Sequence, residues 1–261
     1  MSKKKLKYMM YIIFLLLIIY FLKNPYKLSD NILKAPSFNN FLGTDDLGRD
    51  IYSRLVMGTF NSIFIVIISI GLASIIGNII GLLSGYYGGF IDYIVSQFIE
   101  MILSIPGILI AVAVVVIVRK AFLSLVLALI IMYLPLIIMY TRGLVIKEKS
   151  KEYITANKTY GVSNYRIITK HIYRNIRKYI FVNFGINFSK GILTEAGLGF
   201  LGIGLDPSTP TLGNMLNASQ SYFISSPWFT IFPGLVIIFI VYNVRKLSNI
   251  KEVRNNKMKS K

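Results

Sequence analysis

The sequence contains no cysteine, one histidine and few charged residues. Without cysteine a disulfide framework is impossible, and a single histidine excludes a transition-metal site of the cysteine/histidine type. Asp, Glu, Lys and Arg make up only 15% of the 261 residues, whereas a soluble domain carries about 25%. Hydrophobic residues make up 54% of the chain and form long uncharged runs. This composition predicts a membrane protein.

Acidic residues are especially scarce, with 11 against 29 basic residues and a formal net charge of +18. Most of the basic residues lie in three blocks, at residues 3–7, 142–178 and 245–261, and each block flanks a hydrophobic run. A nucleic-acid surface would need a soluble basic face with interleaved aromatic residues. The blocks instead indicate anchoring of membrane helices at the cytoplasmic surface and contact with membrane lipid, so we expect no nucleic-acid partner.

Apolar runs predict an all-α, polytopic membrane protein with about six transmembrane helices. They cover residues Tyr8–Leu22, Phe60–Ser84, Ile91–Val118 with a bend at Pro106-Gly107, Phe122–Tyr140, Ile180–Leu201 and Phe229–Val244. A lone apolar segment in lipid must satisfy its own backbone groups, so each run is expected to be helical. The first run resembles a signal peptide, but no A-x-A-like cleavage site follows it, and we expect an uncleaved helix.

The distribution of Lys and Arg predicts the orientation. With six spans, the inner loops would hold about three times as many basic residues as the outer loops if both termini lie in the cytoplasm. The sequence is therefore expected to divide into an N-terminal helix with an outer loop (1–59), a transmembrane core (60–247) and a basic cytoplasmic tail (248–261). The core contains a long inner loop at residues 142–178.

This inner loop is predicted to fold as a helix, a glycine turn and a second helix. Four residues of the first helix share one face by helical spacing: Tyr153, Ala156, Asn157 and Tyr160. Gly161 would end this helix as a left-handed cap, and Ser163 or Asn164 would cap the second helix from Tyr165. A short helix presented in this way can be received in a groove of a partner protein. The alternative is an amphipathic helix lying in the lipid interface.

Two further groups of residues are candidates for function or packing. Glu100 and Glu195 fall within predicted spans, where an acidic side chain either lines a pathway or bonds to a neighbouring helix. Small residues four apart let helices approach closely in lipid, through packing within the chain or contact with a second subunit. Such a stripe consists of Gly77, Gly81 and Gly85.

The outer segment at residues 41–55 carries a dense cluster of charges. It contains three aspartates and two arginines: Asp45, Asp46, Asp50, Arg49 and Arg54. Three carboxylates could hold a hard cation on chemistry alone. Pairing of the carboxylates with the arginines is the simpler expectation.

Several motifs together resemble the permease subunits of ATP-binding-cassette importers of the peptide/nickel type. The outer segment is similar to the family pattern F-L-G-T-D-x-L-G-R-D-x-x-S-R-L. The inner loop is similar to the coupling-loop pattern Y-V-x-A-A-x-x-L-G-x-S…R-I-I-x-x-H-I-L-P-N, from which it departs at Asn157, Tyr173 and Arg174. Residues 195–204 are similar to E-A-x-L-S-F-L-G-L-G, whereas the C-terminus keeps little of the family pattern.

The resemblance implies a type I importer fold with a cytoplasmic coupling helix. It implies eight ATPase-coupling residues: Glu152, Tyr153, Ala156, Asn157, Tyr160, Gly161, Val162 and Ser163. It also implies a second homologous permease as a heterodimer partner, two cytoplasmic ATPase subunits and an extracellular solute-binding protein, in the cell membrane. The cargo would be dipeptides, oligopeptides, nickel or nickel chelates.

Catalysis is not expected on this chain. The phosphate-binding pattern G-x-x-x-x-G-K-[ST] is absent, so ATP hydrolysis is expected on a partner, and we predict no catalytic residue, no cofactor and no resident metal. A membrane-embedded enzyme or an ion channel remains the alternative, although neither a catalytic set nor a charged filter ring is evident in the sequence.

Overall fold

The computed structural model describes residues 22–257, with side chains from residue 22 to residue 248. Within that range the regular elements are helical, and the β-type contact is one isolated antiparallel bridge between Thr44 and Asp50. The all-α prediction is therefore confirmed for this part of the chain. Residues 3–7, the predicted first helix before Leu22 and the end of the basic tail lie outside the described residues.

The helices follow the order of the predicted apolar runs. They are α1 (Ile51–Tyr87), α2 (Gly89–Leu103), α3 (Gly107–Val118), α4 (Ala121–Lys149), α5 (Glu152–Thr159), the single turn α6 (Asn164–Arg166), α7 (Tyr173–Phe200), α8 (Leu212–Ser219) and α9 (Pro227–Lys257). A π-helix, Ile167–Ile172, joins α6 to α7, and a 3₁₀ turn, Gln220–Tyr222, follows α8.

Three of these helices are long and apolar enough to cross a membrane, namely α1, α4 and the Pro227–Ser248 part of α9. Together α2 and α3 also qualify, as a pair bent by 89°. The bend falls at Pro106, where the sequence predicts it, because proline lacks a backbone donor and clashes with the preceding turn. The described residues therefore contain three candidate spans, or four if the bent pair is one span.

Of the six predicted spans, these three or four are supported by the structure. The predicted fifth span is a continuous helix, α7, but it is not among the candidates. Its first turns carry several basic residues, and Lys190 and Glu195 interrupt its apolar part. The orientation with both termini in the cytoplasm stays a prediction.

Helix α1 begins at Ile51, earlier than the predicted start at Phe60, because Asp50 caps it. The Asp50 carboxylate accepts hydrogen bonds from the backbone N–H of Ser53 at 2.9 Å and from the Ser53 hydroxyl at 2.7 Å. Such a cap satisfies donors that a helix start leaves without a partner. The polar residues that follow it, including Arg54, therefore lie inside the helix, and so does residue 59, the predicted end of the N-terminal segment.

The described residues fall into two compact units. The first contains the residues up to Ser62 together with Gly199–Val236. The second contains Ile63–Leu198 and the residues from Ile237 onward. The second unit holds the inner loop, and the first holds the outer charge cluster.

Within the second unit, α1 packs closely against α4 through the predicted stripe of Gly77, Gly81 and Gly85. A Cβ atom at Gly81 would lie 2.8 Å from the carbonyl oxygen of Ile138 and 2.9 Å from the Cβ atom of Thr141. The Thr141 hydroxyl donates to Asn78 Oδ1 at 2.6 Å beside this contact. The structure thus places the stripe against a helix of the same chain, at a distance that only glycine permits.

An ion pair ties the start of α2 to α4. Arg142 Nε and Nη2 donate to the two carboxylate oxygens of Asp92 at 2.5 and 2.6 Å, and the Ser84 hydroxyl donates to the same carboxylate at 2.5 Å. Paired contacts of this kind fix geometry as well as adding energy. The ends of α1, α2 and α4 that adjoin the inner loop are therefore held together.

Replacement of Gly81 tests the packing of α1 on α4. Gly81→Ala should lower the melting temperature of the purified protein, because overpacking in a close contact costs about 1–3 kcal/mol. Gly71→Ala in the same helix is the matched control, since a Cβ atom there meets nothing within 4 Å, and it should be neutral or slightly stabilising. Equal melting temperatures for the two variants would contradict the packing described.

Candidate functional site

The inner loop folds as α5, a glycine turn, α6 and the π-helix. Gly161 follows α5 with a φ of +73°, and its N–H donates to the carbonyl oxygen of Lys158 at 3.0 Å. The N–H of Val162 donates to the carbonyl oxygen of Asn157 at 3.0 Å. These two bonds form a Schellman motif, in which the left-handed residue is usually glycine.

The chain beyond this turn is helical without interruption into α7. Ser163 occupies the N-cap of α6, although its side chain accepts no capping hydrogen bond. The neighbouring Asn164 instead accepts a hydrogen bond from the Tyr86 hydroxyl at 2.6 Å. Arg174, where the resembling family has proline, lies inside α7, so no turn forms there. The π-helix Ile167–Ile172 precedes it, and segments of this kind are frequent at functional sites.

A hydrophobic cluster holds α5 against the neighbouring helices of the second unit. Ile154 of α5 is 1% exposed and packs with Tyr86 of α1 and Val145 of α4. The π-helix and α7 add four buried side chains, Ile167, Ile168, Ile172 and Ile176. Full burial of one such side chain contributes roughly 1.5–3 kcal/mol. One side of α5 is therefore packed on protein.

A polar network beside this cluster connects α4, α5 and α7. Glu148 Oε1 accepts hydrogen bonds from the Tyr153 hydroxyl at 2.7 Å and from Asn175 Nδ2 at 3.0 Å. Glu148 Oε2 accepts from Lys151 Nζ at 2.5 Å. Because Glu148 is only 7% exposed, these partners replace the water that its carboxylate has lost.

The Tyr153 hydroxyl is fixed as a donor in this network. Burial raises the pKa of Tyr153 from its ordinary value of 10.0 to about 12, and the hydrogen bond to Glu148 adds to the rise. Its contribution to stability is therefore fully present below pH 10 and is lost as the pH rises through 12. Across physiological pH the network keeps one protonation state at Tyr153.

The four residues predicted to share one face of α5 divide into two pairs. Tyr153 and Asn157 are half-buried, and Asn157 Nδ2 donates to the backbone oxygen of Tyr153 at 2.7 Å. Ala156 and Tyr160 are exposed, and Tyr160 is 84% exposed. The open side of α5 consists of the exposed residues Glu152, Thr155, Ala156 and Thr159, together with Tyr160 directly after the helix. One side of α5 is thus packed on protein, and the other is open.

The other predicted site residues lie on different helices from this loop. Glu100 is exposed near the end of α2, and within residues 22–248 no hydrogen bond to its carboxylate is observed. Glu195 on α7 is 1% exposed. Sequence reasoning missed Glu148 as part of the site, because nothing in the run of charged residues 147–151 distinguishes a buried carboxylate from a solvated one.

In the first unit, arginines pair with the aspartates of the outer charge cluster. Asp45 is fully buried, and its Oδ2 accepts from Arg49 Nε at 2.7 Å and lies 3.3 Å from Arg54 Nε. Its Oδ1 accepts from the backbone N–H groups of Leu47 and Arg49. Burial, with the nearby charge of Asp45, raises the pKa of Asp46. Across the described part of the chain, no group of three or more His, Cys, Asp or Glu residues is placed to hold a metal ion.

Comparison with known proteins identifies a family. A family model described as "Binding-protein-dependent transport system inner membrane component" matches residues 77–249. The dipeptide transport system permease protein DppC of Alkalihalophilus pseudofirmus is 36% identical over 231 residues, which are 88% of this chain and 76% of that protein. The glutathione transport system permease protein GsiD of Pectobacterium atrosepticum is 35% identical over 232 residues, which are 88% of this chain and 77% of that protein.

A solved structure shares the fold. It is a chain from the inward-facing MetNI methionine ABC transporter, with a TM-score of 0.58 and 17% sequence identity. The match covers 77% of this chain and 95% of the other. The family match at residues 77–249 includes the whole inner loop and both Glu100 and Glu195.

Removal of the Glu148 carboxylate tests the polar network. Glu148→Ala leaves the Tyr153 hydroxyl without its acceptor and leaves Asn175 Nδ2 with only that hydroxyl, at 2.8 Å. Amide hydrogen exchange at residues 152–162 should become about tenfold faster, as expected from the loss of a hydrogen bond to a charged group. Thr155→Ser on the open side of α5 is the matched control and should leave the exchange rates unchanged, because Thr155 is exposed. Unchanged exchange in Glu148→Ala would show that the network does not hold α5.

Removal of the Asp45 charge tests the outer cluster. Asp45→Asn leaves the buried Arg54 without its carboxylate and leaves Arg49 with only Asp46, at 3.5 Å. Loss of one partner of a buried pair costs about 3–5 kcal/mol. Trypsin should then cut the purified protein at Arg49 much faster than it cuts the unmodified chain. Asp206→Asn, at an exposed residue of the same unit, should not change the cleavage rate. Equal cleavage of both variants would refute the assigned role of Asp45.

Proposed function

The chain belongs to the binding-protein-dependent transport system inner membrane component family, and from this premise we propose that it is a transmembrane subunit of an ATP-driven importer of short peptides. It is a multi-pass protein of the cell membrane. The importer would move its cargo by alternating access between the two sides of the membrane. One observation carries the proposal: α5 presents an open side while its other side is fixed to three neighbouring helices.

Because one side of α5 is packed on neighbouring helices, α5 is suitable for transmitting force to them. Ile154 lies in the cluster with residues of α1, α4 and α7, and Glu148 links α4 to both α5 and α7. A push on the open side would therefore move the ends of these helices with α5. Small shifts of packed helices are sufficient to switch a transporter between two states.

We assign the force on the open side of α5 to two cytoplasmic ATPase subunits. The chain lacks the phosphate-binding pattern, so nucleotide binds elsewhere in the assembly. A second homologous permease would complete the pathway as a heterodimer partner, and an extracellular solute-binding protein would deliver the cargo. The family description, which names a binding-protein-dependent system, supports the last of these partners.

The names of the relatives favour short peptides as the cargo. The relatives described above are named for dipeptides and glutathione, both of which are peptides with free carboxylates. The same names favour neither a channel nor a membrane-embedded enzyme. Transport of free nickel has less support, because the described residues contain no cluster of ligands for a metal ion.

The pathway is assigned to residues that avoid lipid. Glu100 is a candidate because its carboxylate is exposed in a single chain, and an acidic group at membrane depth faces protein or water. Glu195 is the second candidate, but it is buried within the chain and would reach a pathway only after the helices move.

A bulky charge on the open side of α5 tests the coupling role. Ala156→Arg should abolish co-purification of the ATPase subunits and ATP-dependent uptake, because the side chain would block a helix-in-groove contact. Membrane insertion should be normal, since Ala156 is exposed and contacts none of the buried cluster.

The matched control is Ala35→Arg, the same change at another exposed alanine in the predicted outer segment. This variant should retain the ATPase subunits and uptake at the level of the unmodified chain. Full ATPase binding and uptake in Ala156→Arg would remove the coupling assignment.

A further inference from the structure

Lys190 is a cation in the middle of α7, the helix predicted to be the fifth span, and the function proposed so far does not use it. It lies near the centre of the predicted span Ile180–Leu201, within α7. Its side chain is exposed, and among residues 22–248 no hydrogen bond or ion pair to its ammonium group is observed. An ionisable side chain at this depth in a membrane helix is costly unless it faces a partner or water.

The open face of α7 continues above and below Lys190. Residues spaced three and four apart along this face are exposed or half-exposed: Asn183, Ile186, Lys190, Leu193 and Gly197. The opposite face is packed. Ile192 is fully buried, and a Cβ atom at Gly191 would lie 2.9 Å from Val66 of α1.

Lys190 lies too far from both ends of the predicted span for its ammonium group to reach a membrane surface. Thr194, one turn further along α7, lies 2.9 Å from the Tyr133 hydroxyl in the middle of the apolar helix α4. From Lys190 to the end of α7 at Phe200 is about 15 Å of helix, and the start of α7 is further away. A lysine side chain that snorkels covers less distance than this.

The amino-acid composition of α7 also indicates that this helix faces water or another protein. Helix α7 has 28 residues and is long enough to cross a membrane, but unlike α1 and α4 it is not apolar enough for a candidate span. A helix with this polarity is stable at membrane depth when it lines a water-filled space or another protein.

We infer that the open face of α7 lines the cargo pathway and that Lys190 attracts the carboxylate of the peptide cargo. The inference rests on the proposed function for the identity of the cargo, because every short peptide with a free C-terminus carries this anion. An ammonium group paired with a carboxylate is a charge-assisted contact, which is stronger in a site of low dielectric constant than in water. Lys190 thereby gains a counter-charge that residues 22–248 do not supply.

The role of the Lys190 charge is tested in the complete importer reconstituted in proteoliposomes. The uptake of radiolabelled dialanine is measured at a saturating concentration of binding protein. Lys190→Met should lower the maximal uptake rate by about tenfold, as expected from the loss of one charged hydrogen bond. Lys190→Arg keeps the charge and should stay within about twofold of the unmodified chain. Lys120→Met, the same substitution at an exposed lysine between α3 and α4, should have no effect.

Water access is tested separately by thiol labelling, because the chain has no cysteine of its own. Leu193→Cys, on the open face beside Lys190, should react with a membrane-impermeant thiol reagent in the assembled importer, and dialanine with binding protein and ATP should change the rate. Ile192→Cys, on the packed face, should not react. This arm does not require replacement of Lys190.

Each outcome either supports or overturns the inference. Wild-type uptake by an assembled Lys190→Met importer overturns the role of the charge, and no labelling at Leu193→Cys overturns the water-lined face. Loss of the second permease from Lys190→Met, with no loss from Lys190→Arg, shows that Lys190 pairs with a subunit instead of the cargo. If the unmodified importer takes up neither dialanine nor glutathione, the proposed function fails, and the carboxylate assignment fails with it even where labelling succeeds.

Discussion

An unpaired charge is too costly to remove from water, whether into lipid or into packed protein, and this constraint accounts for the positions of the buried charged side chains that the structure describes. Asp45 is buried only because two arginines reach the same carboxylate oxygen. Asp92 and Arg142 neutralise each other where α2 meets α4, and Glu148 is surrounded by donors where α4 meets α5. Lys190 and Glu100 differ from these groups, because no hydrogen bond or ion pair to either side chain is observed in the described part of the chain. A charge of this kind in a predicted span is a candidate for a functional contact.

The proposed coupling role requires that the short helix α5 keeps one position. Isolated helices as short as α5 are only marginally stable in water. Here Ile154 and the isoleucines of the π-helix remove one side of α5 from solvent, and Glu148 fixes its first turn through Tyr153. The open side is consequently held in one position while it remains available to a partner. In the proposed mechanism, force applied to this side would reach α1, α4 and α7 through packed contacts.

The sequence predicted features with local causes better than features that depend on distant contacts. The turn at Gly161 and the bend at Pro106 arise from the backbone chemistry of single residues, and both occur where the sequence places them. The early start of α1 also has a local signal, since Asp50 followed three residues later by Ser53 resembles a helix cap. Burial of Glu148 has no local signal, because its partners come from α5 and α7. For the same reason helical spacing grouped Tyr153 with the exposed residues of α5, although long-range packing turns it inward.

We propose that the open side of α5 is the surface that binds an ATPase subunit. Photo-crosslinking from residue 160, where the side chain is 84% exposed, tests this most directly in membranes that contain the complete importer. A covalent product with an ATPase subunit is expected when the photoreactive side chain replaces Tyr160, and no such product is expected when it replaces the buried Ile154. A product with the extracellular binding protein, or no product with any ATPase subunit, would show that this surface does not bind the ATPase.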